Sequence, residues 1–162
     1  MIARAYDALL LDLDGTLVGA TDDIEPELAA RLRELVERGI AVRIVTGRSE
    51  GAVDRVLDQI GRPSPVVVYN GAGIWDPDAR VLLEERVLSN RVVDHVLELC
   101  DAHGLYPVVQ SRGAKACPPP PTPAMEASMV GMSELGRVAR EDLPREYLMR
   151  IAIYSETHAS SG

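Results

Sequence analysis

Leu9-Leu10-Leu11-Asp12-Leu13-Asp14-Gly15-Thr16-Leu17 is the stretch from which the rest of the chain is read. The apolar run from Ala8 to Leu11 predicts a short strand buried on both faces, of the kind found inside a parallel sheet. It ends in two carboxylates spaced i, i+2, which project to the same side of an extended chain. Asp12 and Asp14 therefore converge near the carboxyl end of a buried strand, where open α/β sheets bind ligands. Two adjacent carboxylates repel unless a cation or a shared proton compensates. Gly15 permits a sharp backbone turn directly after them. Taken alone, the pattern also fits a strand end with solvated Asp residues and a glycine turn.

Downstream, Val18 to Asp23 reads as a loop, and Asp22 or Asp23 with Pro26 marks a helix start. Ile24, Leu28, Leu32, Leu35 and Val36 share one helical face, and Gly39 supplies the stop. Ile40 to Val45 predicts a second strand ending in Thr46-Gly47-Arg48. Ser49 caps the next helix, with Val53, Val56, Leu57 and Ile60 as its buried stripe. Gly61, Pro63 and Pro65 break that helix. Val66 to Tyr69 predicts a third buried strand, ending in Asn70-Gly71-Ala72-Gly73. Strands alternating with helices imply a parallel sheet with right-handed crossovers. All three strands end in small or polar residues suited to a ligand crevice.

Asp12-Leu13-Asp14-Gly15-Thr16-Leu17 resembles D-x-D-G-T-L, the first motif of the haloacid dehalogenase-like phosphatases. Thr46-Gly47-Arg48 is similar to that family's second motif. Asn70-Gly71-Ala72 is similar to a sequence typical of its Cof-like branch, the sugar-phosphate phosphatases. The resemblance implies an α/β, Rossmann-like parallel-sheet core with an inserted α+β cap, both incomplete here. It implies a phosphomonoester hydrolase with Asp12 as nucleophile, passing through an aspartyl-phosphate, and Asp14 as general acid and base. Mg²⁺ would be the cofactor, with the Asp12 side chain and the Asp14 backbone carbonyl as ligands. Gly15, Thr16, Thr46, Gly47, Arg48, Asn70 and Gly71 would contact phosphate or substrate. The implied partner is a small, sugar-type phosphorylated metabolite.

The expected domains are 1–72, the N-terminal half of the core, and 73–162, a partial cap. Within the latter, Ile74-Trp75 and Val81-Leu82-Leu83 predict a hairpin around Asp76-Pro77-Asp78. Residues 89–103 predict an amphipathic helix with Val92, Val93, Val96, Leu97 and Cys100 inward. Leu105 to Val109 predicts a strand, and 112–124, with four consecutive prolines, a long irregular segment. Leu148 to Tyr154 predicts a last strand, and Thr157 to Gly162 a polar tail. The family's third motif is a lysine. Lys115, the only lysine, lies beside the proline run and is not assigned that role. Nothing after Tyr154 supplies the acidic pair of the fourth motif. The chain is accordingly expected to be a fragment that stops within the cap and is inactive alone. Its first strand is then an exposed, aggregation-prone edge.

Composition sets the outer limits. The 162 residues suffice for one domain, or one and part of another. A hydrophobic share of 46% with 26% charged residues is ordinary for a soluble globular protein. A net charge of -8 argues against nucleic acid or an anionic membrane as main partner. Arg4, Asp7, Asp12 and Asp14 leave no apolar leader or membrane span at the start, so a cytoplasmic location is expected. Cys100 and Cys117 form no metal-ligand spacing and are expected as free thiols. An oligomer is left open. Three other readings remain beside the phosphatase: an inactive interaction module, a phosphomutase or phosphotransferase of the same superfamily, and a receiver-like phospho-acceptor. The D-x-D-G-T run and the cap-like insertion argue against the last.

Overall fold

A computed structural model describes residues 6–19, 21–129, 132 and 135–155. The chain divides into two compact units between Arg86 and Val87. The first unit is built on five strands, β1 (Ala8–Asp12), β2 (Ala41–Val45), β3 (Val66–Val68), β4 (Gly73–Asp76) and β5 (Val81–Glu85), in that spatial order. β1, β2 and β3 run parallel, β4 runs antiparallel to β3, and β5 runs antiparallel to β4. The crossovers are helices α1 (Pro26–Glu37) and α2 (Glu50–Gln59). The fold is thus α/β with a parallel core.

Helix α1 begins at Pro26, which has no N–H to leave unsatisfied, behind Glu25. Neither Asp22 nor Asp23 caps it, contrary to the sequence reading. Each is held by an arginine instead, Asp22 by Arg48 and Asp23 by Arg55. Ser49 does precede α2, but its hydroxyl caps nothing and is buried without a partner.

Register explains which side of the sheet is dry. Leu9 lies beside Val42 and Leu11 beside Ile44, while Val45 lies beside Val67 and Val66 faces Trp75. One face therefore carries Leu9, Leu11, Val42, Ile44, Val66, Val68 and Trp75. Val42, Ile44, Val66, Val68 and Trp75 on that face are buried, as are Ala29 and Leu32 of α1 and Val53, Val56 and Leu57 of α2. Crossovers of one hand between strands in sequential order place both helices on the same side of the sheet. On the other face Leu10, in phase with Asp12, is 70% exposed. β1 is thus not buried on both faces as the apolar run predicts. It also lies at one edge of the sheet.

The hairpin expected at the start of the second domain belongs to the first sheet, because β4 pairs with β3. The compact unit consequently runs past the expected boundary at residue 72, to Arg86. Asp76 shapes the hairpin turn by accepting the N–H groups of Asp78 and Ala79 at 3.0 and 3.1 Å.

The second unit carries helix α3 (Asn90–His103) and strands β6 (Tyr106–Ser111), β7 (Ala114–Cys117), β8 (Leu135–Arg137) and β9 (Arg150–Tyr154), with a short helix α4 (Pro123–Ser128). The sheet order is β8-β7-β6-β9. The Ser89 side chain caps α3 by accepting the Val92 N–H, and Gly104, at φ 62, ends it. Val93, Leu97 and Cys100 form the inward stripe, with Val109, Leu143 and Leu148 in the same cluster as Val93 and Leu97. Val92 points outward, 46% exposed, because the adjacent Val93 takes the inward position. The stretch 112–124 is not wholly irregular. β7 occupies 114–117, held between β6 and β8, and α4 begins at Pro123. Arg112 and Gly113 form a turn, and Pro118 to Thr122, with all four consecutive prolines, carries neither helix nor strand, as expected. Lys115 sits in β7, and Cys100 and Cys117 are free, buried thiols. The expected tail, Thr157 to Gly162, lies outside the described residues. No helix among the described residues is long and apolar enough to cross a membrane.

Candidate active site

Three loops meet at the carboxyl ends of the parallel strands. Asp12 is level with Val45 in register, and Val45 with Val67. Asp12, Thr46 and Asn70 therefore end or follow three neighbouring strands on the same edge of the sheet, where α/β sheets bind ligands.

The first loop is pinned from below. The N–H groups of Thr16, Leu17 and Val18 converge on the Leu13 carbonyl at 3.1, 2.9 and 3.0 Å. Gly15, at φ +77, closes the turn by donating to the Val18 carbonyl at 2.9 Å. Leu13 and Leu17 are buried, which leaves Asp12, Asp14, Gly15 and Thr16 facing solvent.

The second loop begins with Thr46, which is buried and continues the ladder by donating its N–H to the Val67 carbonyl at 2.9 Å. Its Oγ1 accepts the Arg48 N–H at 3.2 Å. Arg48 then reaches across to the first loop. Its Nη2 lies 2.6 Å from Asp14 Oδ1, and its Nε donates to both Asp14 oxygens at 3.2 Å. Its Nη1 binds Asp22 at 2.8 Å. The hydrogen bonds from Arg48, reinforced by its charge, hold the Asp14 carboxyl below the usual carboxylate range. The two carboxylates in turn hold Arg48 firmly protonated.

Asp22 carries no motif signal, and the sequence offers it only as a helix cap, not as a partner of Arg48. Sequence reading missed Gln59 at the end of α2, which accepts the Ile24 N–H and donates to the Asp22 carbonyl, both at 2.8 Å. Arg48, Arg55 and Gln59 together strap residues 22–24 to α2.

The third loop is the most unusual in its backbone. Tyr69, Asn70 and Gly71 all have positive φ, at 54, 56 and 92°. For a tyrosine that conformation is rare and costs on the order of 1–2 kcal/mol. Backbone bonds hold it there. The Tyr69 N–H donates to the Arg48 carbonyl at 2.9 Å and the Asn70 N–H to the Thr46 carbonyl at 3.1 Å. The buried Tyr69 ring sends its hydroxyl to the Glu50 carboxylate. The Asn70 amide lies against Gly47. A Cβ on Gly47 would overlap Asn70 Oδ1 and stand 3.3 Å from Cγ, so this close approach requires glycine.

Asp12 and the Asp14 carbonyl are hard oxygen donors, which suits Mg²⁺. Among the described residues no group of three or more His, Cys, Asp or Glu side chains is set to hold a metal. An ion with two protein donors would keep several waters, as Mg²⁺ does. Arg48 occupies the Asp14 carboxylate, which leaves the Asp14 carbonyl as that residue's donor. The donor set therefore fits the ion.

Phosphatase YwpJ of Bacillus subtilis is 31% identical over 98 residues, which are 60% of this chain and 34% of that protein. The HMP-PP phosphatase of Serratia proteamaculans is 32% identical over 92 residues, 57% of this chain and 33% of its own length. Among solved structures, BT1666 from Bacteroides thetaiotaomicron superposes with a TM-score of 0.74 at 22% identity, covering 94% of this chain and 57% of that one. The sugar phosphatase BT4131 gives 0.76 at 17% identity, covering 91% and 58%. At such identities the structures show the shared fold. The chain spans only about a third of the length of the curated relatives, 34% and 33%. A family model of the haloacid dehalogenase-like hydrolases matches residues 9–134, most of the sequence, and the chain belongs to that family.

Proposed function

We propose that this chain carries the nucleophile-bearing part of a Mg²⁺-dependent phosphomonoester hydrolase acting on small, sugar-type phosphates. The observation that supports it most directly is the alignment of Asp12, Thr46 and Asn70 on one sheet edge, with Asp14 two residues beyond the first. In this reading an Asp12 oxygen attacks phosphorus as the bond to the leaving oxygen breaks, giving an aspartyl-phosphate. Asp14 gives its proton to that leaving oxygen. It then takes a proton from the water that attacks phosphorus, and the Asp12–phosphorus bond breaks to release phosphate. Bound Mg²⁺ supplies the positive charge that lets a carboxylate approach a phosphate dianion. Thr46, Gly47, Asn70 and Gly71, with Gly15 and Thr16, hold the phosphoryl group and substrate.

Arg48 has a double part. Bound to Asp14, it keeps that carboxyl ionised, ready to accept a proton in the second step. An arriving phosphate dianion competes for the guanidinium and raises the proton affinity of Asp14 for the first step. The second unit, 87–162, acts as part of a cap that selects the leaving group. Relatives named for HMP-PP and for 5-amino-6-(5-phospho-D-ribitylamino)uracil support a small phosphorylated metabolite as the substrate class. The free, buried Cys100 and Cys117 fit a reducing compartment.

The chain brings Arg48 to Asp14 but carries no further motif cation, so by itself it turns over well below about 1 s⁻¹. The test must therefore not depend on turnover. Beryllofluoride adds to an aspartate carboxylate as a phosphoryl mimic, and ¹⁹F NMR detects the bound species. With Mg²⁺ present, the expected result is a protein-bound signal that disappears in Asp12→Asn while the circular dichroism is unchanged. An adduct that survives Asp12→Asn, or no adduct at all, would overturn the proposal.

A further inference from the structure

We propose that Tyr69 and Glu50 are positioning residues, which act by holding the Asn70 amide over Gly47 at the phosphate end of the site. The inference rests on the hydrolase reading above and adds to it two residues that the motifs do not include.

Three observations carry it. First, the turn from Tyr69 to Gly71 has three consecutive positive φ values, two of them at non-glycine residues. Such backbone persists only where its surroundings over-determine it, and it clusters at functional sites. Second, backbone and side-chain bonds hold this turn in place. The Tyr69 and Asn70 N–H groups bond the carbonyls of Arg48 and Thr46, so the third loop is zipped to the second. The Tyr69 hydroxyl, carried by a ring that is 1% exposed, reaches Glu50 in the first turn of α2. The ring thus ties the loop to the helix that follows Thr46-Gly47-Arg48. Third, the product of this bracing is specific. Asn70 itself is exposed, yet its amide is laid against Gly47. A short exposed side chain gets its direction from its backbone, and here the backbone is set by Tyr69.

The Tyr69–Glu50 contact is a part-buried hydrogen bond to a charged acceptor, so its loss is felt at the loop. Tyr69→Phe keeps the ring and its packing and removes only the hydroxyl. Glu50→Gln keeps an acceptor for that hydroxyl, and Glu50→Ala does not.

The experiment is a beryllofluoride titration with Mg²⁺, read by ¹⁹F NMR, on the 162-residue chain and its variants. Tyr69→Phe and Glu50→Ala should each weaken adduct formation by about tenfold, the scale of one hydrogen bond. Glu50→Gln should restore most of it. Asn70→Ala should weaken it at least as much, and Tyr69→Phe/Asn70→Ala no further than Asn70→Ala alone, since the tyrosine acts through the asparagine. Losses that add in the double variant would overturn the proposal. So would a Tyr69→Phe chain that binds as the parent does, whatever its melting temperature. In both cases the hydrolase reading stands, because the parent still forms its Asp12 adduct. A parent chain with no adduct overturns both.

Discussion

Replacing Gly47 by alanine should disturb the site while sparing the fold. The new Cβ would overlap Asn70 Oδ1 and crowd Cγ at 3.3 Å and Nδ2 at 3.6 Å. Gly47 is not among the positive-φ residues, so its backbone accepts a side chain. The atoms in the way are the end of an exposed side chain, which can rotate toward solvent. The stability cost is one rotamer change and a lost polar contact, below about 1 kcal/mol. Gly71→Ala is the converse. Its Cβ would meet nothing within 4 Å, but φ is +92°. Left-handed backbone costs a non-glycine residue about 1–2 kcal/mol, offset by about 0.4–1 kcal/mol from a stiffer unfolded chain. The net loss of about 1 kcal/mol lowers Tm by about 4–8 °C in a unit of this size. Trp75, the only tryptophan, is 2% exposed in β4, so its fluorescence reports unfolding of the first unit in denaturant. Gly47→Ala should keep that transition within about 1 kcal/mol yet weaken the beryllofluoride adduct by about tenfold or more. A loss above about 2 kcal/mol, or an unchanged adduct, would show that Asn70 is not what fills the space over Gly47.

Two further outcomes are expected. The folded-state pKa of Asp14 is depressed by Arg48, so the pair contributes stability above the unfolded value near 3.8 and loses it as pH falls through the lower folded value. Arg48→Met should therefore be destabilising at neutral pH and converge on the parent in acid, by Trp75 fluorescence in urea; a gap that is constant with pH would contradict the ion pair. In the second unit, Leu97→Ala should cost about 2–5 kcal/mol, because the side chain is 1% exposed among Val93, Val109, Leu143 and Leu148. The readout is Cys100, whose thiol is buried and whose pKa is pushed up by that burial. Its labelling by a thiol reagent should accelerate markedly, and an unchanged rate would place the core elsewhere.

The parallel half of the first unit was legible because each strand there leads into a motif and each helix carries an apolar stripe, although Ile24 lies ahead of α1 and Val36 is 37% exposed, with Ala29 buried beside Leu32. What lay beyond Ala72 was less so, for reasons that differ element by element. The hairpin joins the first sheet only because the chain reverses at Tyr69 and Asn70, in a conformation that tyrosine rarely adopts and no propensity announces. Strand β7 escaped notice because Ala114-Lys115-Ala116-Cys117 has neither β-branched residues nor strong alternation; pairing on both sides makes it a strand. The apolar run of β1 predicts burial on both faces, whereas Leu10 faces the side of the sheet opposite Leu9 and Leu11 and is largely exposed. At the site, the motif residues could be read from sequence, but not the grip of Arg48 on Asp14 and Asp22. Asp22 lies in a loop whose charges look solvated until α2 is placed beside it. Gln59 gives no signal at all, since one glutamine at a helix end resembles any other.

The hairpin that follows the site has two ends with opposite tolerance for change in length. Gly73, Ile74 and Trp75 pair residue for residue with Val68, Val67 and Val66. One residue inserted between Tyr69 and Gly73 would either be expelled as a bulge or turn Trp75 to the open face and Ile74 to the dry one. The far end, Asp78 to Arg80, is exposed, and extra residues there leave that pairing untouched. A reporter segment or foreign epitope can be spliced at Ala79, whereas the turn after β3 must keep its length if Asn70 is to stay where the sheet delivers it.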